Sequence, residues 1–171
     1  MTIEAEFLDY SQRKLAQLTE RICLCLDQLS SEQVWARDNQ SENAIGNLVL
    51  HLEGNVRQWI CFGVGGREDV RDRDAEFAAR AGLSVEELKQ RLRRTVDEAI
   101  DLLKTLSGQR LTEQARVQGY NLTVLEAIYH VVEHFSGHTG QVLFATKLLT
   151  GADLGFHGHL RQVQEHSETT P

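Results

Sequence analysis

Nothing inside this chain breaks a helix. Its one proline is the final residue, Pro171, so a helix can run wherever the apolar pattern supports it. Glycine is left to do the punctuating, and its residues cluster at 63–66, 137–140 and 151–158. Between these marks, apolar side chains recur at helical spacing in four long segments.

The first segment covers residues 3–29 through Phe7, Leu8, Leu15, Leu18, Ile22 and Leu26. The second covers 44–62 through Ile45, Leu48, Leu52, Val56 and Trp59. The third, 84–106, opens on Ser84-Val85-Glu86-Glu87, and the fourth, 123–150, on Thr123-Val124-Leu125-Glu126. Both are capping boxes, in which the hydroxyl and the carboxylate each satisfy a free backbone N–H of the first turn. The fourth carries Val124, Ile128, Val131, Phe135, Val142 and Leu149, and Gly151 is its natural stop. Four amphipathic helices with little strand signal predict an all-α four-helix bundle, one domain over residues 1–150. Residues 63–83 predict a long solvated crossover with a short helix near 74–81. An extended piece is expected near 115–117, and a poorly ordered tail over 151–171.

The net charge of −7 argues against a nucleic-acid or anionic-membrane partner. The basic cluster Arg91, Arg93 and Arg94 is diluted by Glu86, Glu87, Asp97 and Glu98, as on a solvated helix face. No stretch reaches the roughly 18 apolar residues of a membrane span. The acidic start has no secretory character, so a cytoplasmic location is expected. Three cysteines, Cys23, Cys25 and Cys61, do not make a disulfide framework and read as thiols in or near the core.

Bundles place ligand and metal sites between facing helices, which directs attention to histidine. His130, His134 and His138 lie at i, i+4 and i+8 on the fourth segment. The His134/His138 pair puts two imidazoles one turn apart on one margin of the apolar stripe, the spacing that lets both reach one ion. On the second segment, His51 sits at the edge of the stripe between Asn47 and Asn55. These three form a polar ridge of internal residues, which needs partners if buried. His51, His134 and His138 are therefore the candidate ligands of one divalent metal ion. Asn47, Asn55 and Gln141 are candidates to orient them or a bound water. His130 is either a further orienting donor or a satisfied core histidine. His157 and His159, in the tail, are read as solvated.

The segments Asn43–Asn55 and His130–Gln141 resemble the DinB/YfiT-like superfamily, more narrowly a bacterial branch of it, and the likeness covers residues 5–150. The combination of an upstream helix-borne His51 with His134-x-x-x-His138-x-Gly140-Gln141 carries it. The resemblance implies an up-down-down-up bundle, often a homodimer, with a divalent metal on three histidines matching His51, His134 and His138. Many relatives have arginine after the last ligand, where this chain has Thr139.

Three neutral imidazoles leave an ion's charge uncompensated and a coordination position open, as in catalytic rather than structural sites. Zinc or nickel suits such a set, with iron a further option. Two enzymatic readings follow. One is hydrolysis of an amide or ester. The other is transfer of a low-molecular-weight thiol, which the resemblance favours because relatives include thiol-dependent transferases and isomerases. Hydrolysis calls for a general base, and Glu53, the nearest carboxylate in sequence, faces away from His51. A non-catalytic, stress-linked metal-binding or dimerisation module is the third reading, with Gly46 and Gly54 as a close-approach seam.

Overall fold

The computed structural model describes residues 2–156. Its elements are α1 (Ile3–Leu26), α2 (Ser31–Trp35), α3 (Ile45–Val56), α4 (Arg73–Ala78), α5 (Val85–Thr105) and α6 (Val124–Thr150), with a hairpin of β1 (Gln114–Val117) and β2 (Tyr120–Thr123). The four long helices form the bundle, with α3 extended by a π-helical segment, Arg57–Val64.

Their directions follow from which residues meet. Lys89 and Arg93 of α5 bind Asp27 and Glu20, so α5 runs against α1. Arg91 and Thr95 meet Glu53, and Thr95 also meets Arg57, so α3 and α5 run together. His51 faces His134 while Trp59 faces His130, so α3 runs against α6. Cys25 bonds Thr146 at one end, and Phe7 and Leu125 share a cavity at the other, so α1 and α6 run together. The bundle is up-down-down-up, as the resemblance implied.

Local chemistry explains the ends. Ser84/Glu87 and Thr123/Glu126 are reciprocal capping boxes as expected, and Gly151, at φ 65°, ends α6 in the left-handed conformation. A third box, Ser30/Gln33, opens the short α2, which the sequence pattern did not signal. The expected extended piece is the first strand of a hairpin. Its two-residue turn, Gln118-Gly119, has positive φ at both positions, the type I′ geometry that matches strand twist.

The core is aliphatic, with Leu15, Ile22, Leu52, Leu92 and Ile128 fully buried around Phe135. Cys23, Cys25 and Cys61 are buried thiols, and burial pushes Cys23 up to about 11, which keeps it protonated. Leu149 departs from the expected stripe: it lies in the last turn of α6, 44% exposed, where the helix has run past its partners. Beyond Gly151, Leu154 and Phe156 pack against the core, and Arg21 covers the Phe156 ring. The remainder of the expected tail, 157–171 with His157 and His159, lies outside the described residues. No helix among the described residues is long and apolar enough to cross a membrane.

The crossover is the main correction. It contains α4, close to the expected short helix, but it is not solvated throughout. The side chains of Arg71 and Glu76 are only 3% and 9% exposed. Charged groups go under when they neutralise one another and find room, and Gly54 provides the room. A Cβ there would fall 1.9 Å from Glu76 Oε1. A Cβ at Gly46 would strike the Trp35 ring at 2.8 Å. Both glycines admit side chains of their own chain, so they are not a seam for a second molecule.

Candidate metal centre

Antiparallel packing of α3 on α6 sets His51 opposite the His134/His138 pair. One ring nitrogen from each histidine lies within 4.8 Å of the other two, and the three could hold one metal ion. His51 Nε2 and His134 Nε2 are 3.1 Å apart. Two nitrogens bound at 2.0–2.1 Å to one tetrahedral ion lie about 3.3–3.4 Å apart, so little movement separates this geometry from a coordinated one. The ring centroids are 4.9 Å apart for His51–His134, 5.1 Å for His51–His138 and 4.5 Å for His134–His138.

The outward nitrogens decide which lone pairs are free. His138 Nδ1 lies 2.7 Å from Gln141 Oε1. An amide oxygen only accepts, so the proton sits on Nδ1 and Nε2 is left for a ligand. His51 Nδ1 lies 3.1 Å from Glu76 Oε2 and 3.0 Å from Arg71 Nη2. A guanidinium only donates and a carboxylate only accepts, so this nitrogen can serve one of them at a time. With the proton on Nδ1 it donates to Glu76, and Nε2 is free. Arg71 in turn grips Glu76 with two bonds, of 2.7 and 2.8 Å. Among the described residues, His134 Nδ1 is buried without a partner, as is Asn55 Oδ1, one turn along α3 from His51.

Burial, helped by repulsion from His138 and His51, lowers the His134 pKa to about 3. Burial also lowers His138, with the Gln141 hydrogen bond working the other way. Both rings are thus neutral at neutral pH, the form that ligates. Burial alone would raise the Glu76 carboxyl, but hydrogen bonds from Arg71 and His51 hold it below its usual value. The Glu76 charge is matched by Arg71, so this pair adds no net charge beside the three imidazoles.

Of the other expected residues, Gln141 does contact a histidine of the cluster, His138. Asn47 does not. It was read as an internal residue of the polar ridge, yet it stands in the first turn of α3, where its Oδ1 accepts from Ala44 N at 3.1 Å. Its Nδ2 donates to the carbonyls of Glu76 and Ala79, at 2.8 and 2.9 Å, and Arg37 also bonds Oδ1. Asn47 caps the helix and ties down the crossover that delivers Glu76. His130 makes no hydrogen bond to a ligand histidine. Its ring lies against Trp59, centroids 4.1 Å apart, and 5.5 Å from His134. Thr139 is buried with its hydroxyl on Phe135 O. Glu53 is turned away from His51 as expected, onto Arg91 and Thr95. Glu76 and Arg71 were missed, although opposite charges five residues apart in a charged crossover were visible.

Comparison with known proteins agrees with this architecture. A family model described as "Protein of unknown function (DUF1572)" matches residues 2–156. A conserved protein from Enterococcus faecalis has a similar fold, with TM-score 0.73 and 14% identity over 89% of this chain and 99% of its own. A DinB-like protein from Bacillus cereus is similar at TM-score 0.62 and 16% identity, over 77% of this chain and 85% of its own. No curated protein matches the chain. At these identities the two structures, one of them DinB-like, speak for the fold, and the family match speaks for the lineage: the chain belongs to the DUF1572 family.

Proposed function

We propose that this protein is a metal-dependent transferase that holds one divalent ion, zinc or nickel before iron, on His51, His134 and His138 and presents a low-molecular-weight thiol to an electrophile. The observation that carries the reading is the convergence of three imidazoles with no carboxylate among them, two of which, His51 and His138, are held from behind by Glu76 and Gln141. A divalent ion there supplies a cationic position that favours a thiolate over a thiol. The protein's own part is to keep Nε2 of His51 and His138 unprotonated through Glu76 and Gln141, and to offset the Glu76 charge with Arg71. In the transfer, the thiol proton leaves to solvent, a carbon–sulfur bond forms, and the leaving group departs with its electron pair.

Hydrolysis of an amide or ester is the weaker reading. It wants a base on the open side of the centre. Glu76 lies behind His51, locked to Arg71, and Glu53 is held on the far side of α3. The test is metal analysis of untagged protein purified without nickel resin, followed by two assays. Thioether formation from a simple thiol and chlorodinitrobenzene is expected to need the metal and to stop with chelator. Thiol-independent cleavage of a nitrophenyl ester instead would favour the hydrolase. One equivalent of metal with neither reaction would favour the non-catalytic, stress-linked module.

The homodimer expected from the resemblance has one observation in its favour. Along the outer face of α6, Tyr129, Phe144 and Leu148 are 61, 66 and 71% exposed. Between them, nothing among the described residues approaches the Cβ positions of Gly137 or Gly140. A smooth centre flanked by large apolar groups suits a self-complementary pairing. Phe144→Asp is expected to convert a dimer to a monomer by sedimentation, with unchanged helicity. A parent that is already monomeric would remove the reading.

A further inference from the structure

Rings run without a break from the metal centre to the hairpin. Successive centroids are 4.5 Å apart for His138–His134, 5.5 Å for His134–His130, 4.1 Å for His130–Trp59 and 6.4 Å for Trp59–Tyr120. The last three rings line an open groove of about 510 Å³ with Gln118, Asn121, Leu122 and Glu126. None of these lining residues is lysine or arginine, so the groove offers neither cation to an anionic ligand. Its Glu126 carboxylate is engaged by Thr123 at the start of α6. Trp59 is 5% exposed, and among the described residues its indole N–H is buried without a partner. A buried donor left unpaired is costly, and an aromatic wall favours flat, apolar bodies.

We propose that this groove binds the body of a ligand whose head reaches the metal, and that the body is flat, apolar and not anionic, an aryl group or its like, with an acceptor for Trp59 N–H in the natural ligand. The inference rests on the metal reading above and goes beyond it, because it assigns a shape and charge class to what the site takes. The probes are benzyl mercaptan, ethanethiol and the anionic mercaptoethanesulfonate, titrated into cobalt-loaded protein. The readout is the thiolate-to-cobalt charge-transfer band.

Benzyl mercaptan is expected to bind about tenfold more tightly than ethanethiol, the scale of one well-placed aromatic contact. The sulfonate is expected to gain nothing over ethanethiol. Trp59→Leu should bring the benzyl advantage close to unity. Because Trp59 is in the core, the exposed Tyr120→Ser serves as the second variant and should reduce the advantage about threefold at unchanged melting temperature. Equal affinities for the three thiols in the parent, or a benzyl advantage untouched by both variants, overturns the groove while leaving the metal reading intact. Protein that takes up no cobalt overturns both.

Discussion

His134→Ala is expected to take the protein from about one equivalent of bound metal to almost none. His134 supplies the nitrogen that lies 3.1 Å from His51 Nε2 and shares a helix face with His138, so its loss leaves two ligands on opposite helices. A two-imidazole remnant cannot close the coordination that a bundle site depends on. The thermal consequence follows by mass action. Metal at a hundred times its dissociation constant stabilises the folded state by about 2.7 kcal/mol, roughly 5–10 °C for a domain of this size. Added zinc should shift the parent melting curve by that much and leave the variant unmoved. His134 is partly buried, so His138→Ala serves beside it, with circular dichroism to confirm the fold. Equal metal content in the parent and both variants would sink the three-histidine assignment.

The second large effect concerns Arg71 and Glu76. Their side chains are 3% and 9% exposed and joined by two short bonds. Removing one partner from a buried pair strands the other charge, at a cost of about 3–5 kcal/mol. Arg71→Ala and Glu76→Ala are each expected to lower stability to urea on that scale. The pair Arg71→Met with Glu76→Leu should cost much less than the sum of the single changes, because no charge is left unmatched. Simple additivity would show that the pair is solvated in solution. Glu76→Gln keeps the shape and loses the charge on His51 Nδ1. It is expected to weaken metal binding about 10–100-fold, the usual effect of removing such an outer contact.

What the sequence disclosed was what local periodicity encodes. The helices over 85–105 and 124–150 were readable because a capping box opens each and apolar spacing runs through them. His134 and His138 were readable because one turn of helix fixes their relation. His51 was harder, since its place opposite the pair depends on how α3 meets α6; its position at the edge of an apolar stripe was the one local sign. Glu76 and Arg71 were not readable. Their role depends on the path of the crossover, and nothing near them says that residue 76 will return to the second helix. Asn47 was misread for another reason: the start of the helix at 44 was placed correctly, but an asparagine in its first turn, able to accept from Ala44 N, was taken for an internal one. The hairpin was half visible, with the extended piece near 115–117 legible and its equally short partner, Tyr120–Thr123, half exposed and running straight into the cap of α6, not.

Gly54 and Glu76 bear on the candidate metal centre as well as packing. A Cβ at position 54 would lie 1.9 Å from the Glu76 carboxylate and 2.9 Å from Arg71 Nε. An alanine at 54 in this chain would therefore displace the Glu76 carboxylate, and with it the arginine that neutralises it. Three positions on two segments, 54, 71 and 76, thus form one unit in this chain, and a change at any of them reaches the carboxylate that holds His51 from behind.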